Sequence, residues 1–187
     1  MAGVLVFGDS VGGKLAPASL EMAVAGAALA KALNEPLLGA LLGDELAAAA
    51  AEFNGGFATL HLLEGKHLRP YTARAAIAAT RQLIDAVQPS VVLFPHTLET
   101  REWVPRLAAM LDTGLVMDCT ALNAEGSDLV VSKPVYGGGV IAQYVVRGAT
   151  RLVTVRTGVF EAAAGAPSAD VKKIAAVAPA AGRVTLI

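Results

Sequence analysis

Short apolar runs that alternate with long helical stretches constrain the fold of this chain more than any other feature. The run Ser90–Phe94 (Ser-Val-Val-Leu-Phe) lies between Pro89 and Pro95, which predicts a strand that is buried on both faces. An earlier run, Val4–Phe7, has the same character and ends at Gly8. Because strands separated by helices form βαβ units, the pattern predicts a doubly wound α/β fold. Its sheet is expected to be mostly parallel, with helices on both faces.

Proline positions help to place the other elements. Pro17 suits the first turn of a helix, and Pro36 suits the residues that follow its end. The predicted helices are Ala18–Asn34, a shorter helix that Asp44 caps and that ends at Phe53, Tyr71–Gln88 and Thr100–Leu111. Further strands are predicted at Leu37–Leu42, Phe57–Leu62 and Leu115–Leu122.

The later part of the chain has strands without intervening helices. Asp128–Tyr136 and Val140–Val146 alternate roughly between apolar and polar residues, and three glycines separate them. This pattern predicts antiparallel strands joined at a glycine corner. Arg151–Arg156 is predicted as another strand. We therefore expect an antiparallel extension at one edge of the parallel sheet.

Composition changes after Gly158, where small residues become frequent. We assign residues 1–160 to the α/β domain and residues 161–187 to a linker with a closing strand at Val184–Ile187. An apolar strand without a polar tail is expected either at a cut domain boundary or at a natural end that is paired into a sheet. Both interpretations remain open from the residues alone.

Charge and composition exclude several classes of protein. Fifteen Lys and Arg residues against 16 Asp and Glu give a net charge of −1 without basic blocks, so no nucleic-acid partner is expected. The apolar stretch Met22–Ala30 is far shorter than the roughly 20 residues that a membrane span needs. Cys119 is the single cysteine, and the three histidines lack metal-ligand spacing, so no disulfide and no metal site are expected. The sequence favours a reducing, cytoplasmic location.

The loop after the first strand contains a phosphate-loop pattern. Gly8–Lys14 matches G-x-x-x-x-G-K, but Leu15 follows in place of Ser or Thr, and Pro17 moves the helix start downstream. Backbone amides would then not converge on a phosphate. We therefore favour a surface turn.

Two other segments are candidate ligand sites. The first, Pro95–Glu102, follows a buried strand, so Thr97 and Arg101 would lie at the carboxyl edge of the sheet, where Arg101 could bind an anion. The second contains Gly137 and Gly138, which permit positive φ or close approach of a ligand. We take these four residues as candidate cofactor contacts. The alternatives are a solvated helix start for the first segment and a simple turn for the second.

The remaining reactive side chains do not suggest catalysis. Cys119 lies in an apolar context and is interpreted as a core thiol, and Trp103 is interpreted as a packing residue. We find no nucleophile, base and orienting group in a catalytic pattern. The chain is therefore predicted not to be an enzyme.

Five segments in a fixed order carry a family pattern. They are Val4–Val6 with Gly13–Glu21, Pro89–Phe94 with Thr100–Glu102 and Pro105–Ala109, Thr113–Leu122, Lys133–Ala142, and Thr154–Phe160. Together they resemble the N-terminal domain of the alpha subunit of electron transfer flavoproteins, and the resemblance covers essentially the whole chain. Lys133 stands where that family usually has Arg, and Gly138-Gly139 replaces an Ala/Gly-Asn pattern.

The resemblance implies an electron carrier. In that family the assembled protein takes electrons from flavin dehydrogenases on FAD and passes them to a downstream acceptor. The resemblance implies a fold related to adenine-nucleotide-binding domains, and a domain that docks the beta subunit. It places the main FAD site in a second domain that this chain lacks, and AMP on the beta subunit. The alternative function is a stand-alone adenine-nucleotide-binding module, which the loops Gly8–Gly13 and Pro95–Arg101 would serve.

Overall fold

The structure, a computed structural model, describes residues 3–180, and these residues form twelve β-strands and four α-helices. The strands are β1 (Val4–Phe7), β2 (Ser10–Val11), β3 (Lys14–Leu15), β4 (Leu37–Gly43), β5 (Thr59–Glu64), β6 (Val91–Pro95), β7 (Leu115–Cys119), β8 (Ala121–Glu125), β9 (Asp128–Val135), β10 (Val140–Val146), β11 (Arg151–Val155) and β12 (Val171–Ala175). The helices are α1 (Ala18–Leu33), α2 (Ala47–Glu52), α3 (Ala73–Val87) and α4 (Leu98–Met110). The predicted strand Val184–Ile187 lies outside the described residues.

Seven parallel strands form the central sheet, in the order β12-β5-β4-β1-β6-β11-β7. The chain first adds β4 and β5 on one side of β1, and then returns to add β6 on the other side. The strand order therefore reverses between β1 and β6. In open α/β sheets, ligands usually bind outside the carboxyl ends of the strands at such a reversal.

Helices cover both faces of this sheet, as the apolar runs predict. Val4 and Val6 point towards α1 and α2, whereas Leu5 and Phe7 point towards α3 and α4. All four side chains are buried, which explains why β1 reads as an unbroken apolar run. The doubly wound α/β class is confirmed.

The three long helices lie within two residues of their predicted limits, but the start of α2 was predicted wrongly. Leu46, not Asp44, precedes the first turn of α2, and no side chain caps this helix. Leu46 is buried, whereas Asp44 is exposed, so the apolar anchor determines where the helix begins.

The predicted strand Leu115–Leu122 is in fact two strands, β7 and β8, which belong to different sheets. Asp118 adopts a left-handed backbone conformation, with φ of 65°, and bends the chain near Thr120. Aspartate tolerates this conformation better than most residues because its short polar side chain bonds locally. The single-strand prediction is therefore wrong.

Antiparallel strands are present, as predicted, and form a separate sheet in the order β10-β9-β8. Residues 136–139 join β9 to β10, so the glycine corner is confirmed. The later strands β11 and β12 belong to the parallel sheet.

The small-residue segment 161–169 returns the chain from β11 to β12, at the opposite edge of the sheet. Its backbone is held by hydrogen bonds: Gly165 N–H donates to Asn54 O at 2.7 Å, and Gly56 N–H donates to Ala166 O at 2.7 Å. Strand β12 therefore lies beyond the predicted boundary at residue 160 and still pairs with β5. The division at residues 160 and 161 stays a prediction.

Candidate functional site

The loop after β1 forms a hairpin rather than a phosphate loop. Strands β2 and β3 pair antiparallel, and Gly12 and Gly13 turn the chain between them with φ of 59° and 78°. Helix α1 begins only at Ala18, after Lys14 and the hairpin. The surface-turn interpretation is confirmed. Because Lys14 lies in the hairpin and α1 begins only at Ala18, Lys14 and the N–H groups at the start of α1 do not form a phosphate-binding loop.

A small cavity of about 60 Å³ lies where the strand order reverses, between the carboxyl ends of β1 and β6. Asp9 and Glu99 line it, and burial raises the pKa of both carboxyl groups. Arg69 also lines it and donates from Nη2 to the Ser10 backbone oxygen at 2.8 Å. The guanidinium thereby ties this cavity to the β2–β3 hairpin.

This cavity does not fit FAD or an adenine nucleotide. Pockets for small ligands usually have volumes of about 300 Å³ or more, and this one has about 60 Å³. Asp9 and Glu99 would also repel a phosphate or pyrophosphate group, and Arg69 is already bound to Ser10. We therefore derive no cofactor chemistry from it.

Thr97 is the cap of α4. Its hydroxyl accepts from the Thr100 N–H at 3.3 Å, and its own N–H donates to Thr100 Oγ1 at 2.9 Å. This reciprocal pair is a capping box, and it engages the Thr97 hydroxyl that the sequence indicates as a candidate cofactor contact. Arg101 lies one turn further along and is exposed.

Gly137 and Gly138 lie in the β9–β10 turn, far along the chain from Thr97. Both have positive φ, of 65° and 94°, and a Cβ at either position would meet no atom within 4 Å. The turn conformation therefore requires glycine there, whereas close packing within the chain does not. Among the described residues, no hydrogen bond joins these glycines to Thr97 or Arg101. That a cofactor touches the four residues stays a prediction.

A polar cluster at the ends of β6, β11 and β7 was not predicted as a site. Arg156 donates two hydrogen bonds to Asp118, of 2.9 Å from Nε and 2.7 Å from Nη2. The Thr154 hydroxyl accepts from the Asp118 N–H at 2.9 Å and bonds to His96 Nδ1 at 2.8 Å. His96 Nε2 lies 3.9 Å from Asp118 Oδ1. These contacts bring three strand ends together.

The electrostatics of this cluster follow from its contacts. The hydrogen bonds from Arg156 lower the pKa of Asp118, so its carboxylate remains ionised. Burial lowers the pKa of His96, although Asp118 acts in the opposite direction. His96 is therefore neutral near pH 7, and the cluster can hold Arg156 in a fixed orientation.

Asp118, Thr154 and Arg156 lie within the family-like segments, but nothing in the sequence indicates that their side chains meet. Asp118 and Arg156 are 38 positions apart, and their contact depends on β11 lying between β6 and β7. Hydrophobic periodicity predicts strands but not their order in the sheet. The only feature of the sequence that pointed to this cluster was a polar residue near the end of each of these strands.

Apolar side chains are exposed along β10, the outer strand of the small sheet. Val140, Ile141, Tyr144, Val145 and the adjoining Tyr136 are each between 41% and 89% exposed. In the described part of the chain, β10 pairs only with β9, so its other edge has free backbone donors and acceptors. An apolar edge strand of this kind is typical of an interaction surface.

The predicted core residues are buried as expected. Trp103 packs edge-on against Phe94, with ring centroids 5.2 Å apart. Cys119 is buried, and burial raises the pKa of its thiol to about 12, which makes it unreactive at neutral pH.

Within residues 3–180 no helix has the length and apolar character needed to cross a bilayer. In the same residues, no group of His, Cys, Asp and Glu side chains is arranged to hold a metal ion.

Comparisons with known proteins agree with one another. The family model of the electron transfer flavoprotein domain matches residues 4–181. Protein FixB of Clostridium saccharobutylicum is 32% identical over 162 residues, which are 85% of this chain and 48% of that protein. The electron transfer flavoprotein subunit alpha of Clostridium acetobutylicum is 31% identical over 163 residues, with coverage of 85% and 48%.

A third relative belongs to a named enzyme complex. The LctC subunit of the lactate dehydrogenase (NAD(+),ferredoxin) of Acetobacterium woodii is 30% identical over 163 residues, 86% of this chain and 39% of that subunit. The chain spans about half the length, or less, of these curated relatives. The family match over nearly all the described residues, on a doubly wound fold, places the chain in the electron transfer flavoprotein family, as an N-terminal domain of the alpha-subunit type.

Proposed function

We propose that this chain is the scaffold domain of an electron transfer flavoprotein alpha subunit, which docks a beta subunit. In this proposal the assembled protein carries electrons on FAD from flavin dehydrogenases to a downstream acceptor, and the chain itself catalyses no reaction. The family match and the relatives named as alpha subunits support it. A cytoplasmic location and AMP bound by the beta subunit belong to the same proposal.

The flavin is proposed to bind mainly outside residues 3–180. The carboxyl-edge cavity is too small for an isoalloxazine ring and carries two carboxyl groups. A domain without a fitted flavin pocket can still position a partner that holds one, which is the role of a scaffold. Purified alone and mixed with FAD, the chain should show no stoichiometric flavin absorbance after gel filtration.

The observation that carries the docking proposal is the exposed apolar strand β10. Ile141 and Val145 lie on one face of the strand, while Val140 and Tyr144 lie on the other. A strand at the edge of a sheet that is apolar on both faces is prone to pair with another chain. A beta subunit could cover it by packing on these side chains and by extending the three-stranded sheet.

The test replaces the apolar side chains of β10 by charged ones. Ile141→Lys with Val145→Lys should weaken association with the cognate beta subunit by at least tenfold, measured by co-elution and titration calorimetry. Val171→Lys is the matched control, because Val171 is also an exposed valine on an edge strand, β12, of the other sheet. Equal binding by the double variant and the control would contradict docking at β10, and a wild-type chain that binds no beta subunit would contradict the proposed function.

A further inference from the structure

A second surface at the carboxyl edge of the sheet carries an excess of positive charge. We define the basic patch as Arg101 on α4, Lys133 on β9 and Arg156 after β11, together with the His96 and Asp118 side chains that they surround. Backbone hydrogen bonds bring these segments together. His96 N–H donates to Val155 O, beside Arg156, at 2.8 Å. Thr120 N–H donates to Ser132 O, beside Lys133, at 2.8 Å, and Arg101 lies in helix α4, which begins just after His96.

Only one of these cations is neutralised within the described chain. Asp118 binds Arg156 through both carboxylate oxygens, whereas no ion pair within residues 3–180 involves Arg101 or Lys133. His96 adds no charge near neutral pH, because burial lowers its pKa. The patch therefore presents two uncompensated positive charges and a guanidinium whose orientation Asp118 fixes.

Acidic residues on the same helix do not cancel this charge. Glu99 lines the small cavity beside Arg69, and Glu102 accepts a hydrogen bond of 2.8 Å from the Tyr71 hydroxyl. Both carboxylates therefore interact with groups on the α3 side of α4. At 3.6 residues per turn, Arg101 points about 100° away from Glu102 and farther from Glu99 around α4.

The exposed side chains of the patch indicate what it can bind. The Arg156 side chain is 43% exposed, although Asp118 holds it. Arginine and aromatic side chains are enriched at protein–protein interfaces. Leu98 and Tyr136, which are 82% and 89% exposed, lie on the α4 and β9–β10 segments that bear Arg101 and Lys133.

We propose that the basic patch docks a protein segment in which carboxylates alternate with apolar side chains. Carboxylates of that segment would pair with Arg101, Lys133 and the free Nη1 of Arg156, and its apolar side chains would pack on Leu98 and Tyr136. Asp118 holds the Arg156 guanidinium in this site by accepting two hydrogen bonds from it. The proposal goes beyond beta-subunit docking at β10 and does not depend on it.

The experiment uses the full chain and a synthetic twelve-residue peptide of alternating Glu and Leu, followed by amide NMR at low salt. Peptide-induced shifts should concentrate at residues 96–101, 118–120, 133–138 and 156–158. Arg101→Glu with Lys133→Glu should weaken the affinity at least tenfold, since two attractive charges become repulsive. Raising the salt concentration should weaken wild-type binding as well.

The control keeps the net charge of the double variant but moves the change. Lys31→Glu with Arg147→Glu alters two exposed cations at the amino edge of the sheets, and affinity should stay within about twofold of the wild type. Thermal melts check that both double variants fold. The proposal is wrong if the two double variants lose affinity equally, if a Lys-Leu peptide binds as well, or if sulfate alone reproduces the shifts and the acidic peptide adds none.

Discussion

Asp118 links the two sheets at the scale of a single residue. Its left-handed backbone separates β7 from β8, its N–H donates to Thr154, and its carboxylate binds Arg156. Few residue types meet all three requirements. Asparagine keeps the tolerance for positive φ but loses the charge, whereas alanine loses both.

Asp118→Asn should lower the free energy of unfolding by about 0.5–1 kcal/mol at pH 7, which is the usual value of a well-oriented surface ion pair. Asp118→Ala should cost about 1 kcal/mol more, because alanine adopts positive φ unfavourably. Urea unfolding of the two variants and the wild type measures this. Equal stability of the two variants would show that the left-handed conformation carries no cost.

The charge contribution has a defined pH dependence. Arg156 lowers the pKa of Asp118 in the folded chain, so the stabilisation is complete above the unfolded pKa of about 4 and is lost as the pH falls below it. The difference between wild type and Asp118→Asn should therefore shrink between pH 5 and pH 3. A difference that stays constant over this range would contradict the ion-pair account.

His61 is a buried polar residue whose Nδ1 has no hydrogen-bond partner within residues 3–180. Burial, and then the charge of Lys172, lower its pKa in the folded chain. The unfolded chain thus binds a proton more readily, and stability should fall as the pH drops below about 6.5. His61→Leu should reduce that loss between pH 7 and pH 5 in urea titrations. Parallel profiles for His61→Leu and wild type would exclude His61 as the cause.

At the scale of elements, the contact between α1 and β1 depends on Gly26. A Cβ at this position would lie 2.2 Å from Val6 Cγ2, well inside van der Waals contact. Helix propensity alone would favour Gly26→Ala by about 1 kcal/mol, so tertiary packing opposes local preference here. The close approach lets the buried face of α1 cover the centre of the sheet.

Gly26→Ala should therefore destabilise the fold by about 1–3 kcal/mol, the usual cost of overpacking. Adding Val6→Ala should recover part of that loss, because it removes the methyl groups that the new Cβ meets. Thermal unfolding of the wild type, the two single variants and the double variant gives a double-mutant cycle that measures the interaction between the two positions. Strictly additive effects would mean that the two side chains do not meet in solution.

At the scale of the whole molecule, the sequence predicted the elements better than their arrangement. An apolar run such as Ser90–Phe94 predicts a buried strand whatever its position in the sheet. A helix cap such as Thr97 depends only on neighbouring residues, so both features are predictable from the sequence. Strand order depends on packing across the whole sheet. For that reason the meeting of Asp118, Thr154 and Arg156 was not predicted, and the bend at Asp118 was missed.

The cavity at the reversal of strand order also bears on the alternative function, which is nucleotide binding. The cavity where the strand order reverses has the right position but a volume of only about 60 Å³ and two carboxyl groups. ATP, ADP and AMP at millimolar concentration should leave the melting temperature unchanged. A nucleotide at a hundred times its Kd would instead add about 2.7 kcal/mol of stability. Such a shift, abolished by Thr97→Ala with Arg101→Ala, would support the alternative.

Hydrogen exchange of this chain, with and without the cognate beta subunit, tests the central claim most directly. The amides of β10 on its unpaired edge are available for exchange in the isolated chain, and docking should cover them. We predict a stoichiometric complex with new protection concentrated in residues 136–146. A stable complex that leaves these amides exchanging as before, or a folded chain that forms no complex, would contradict the account.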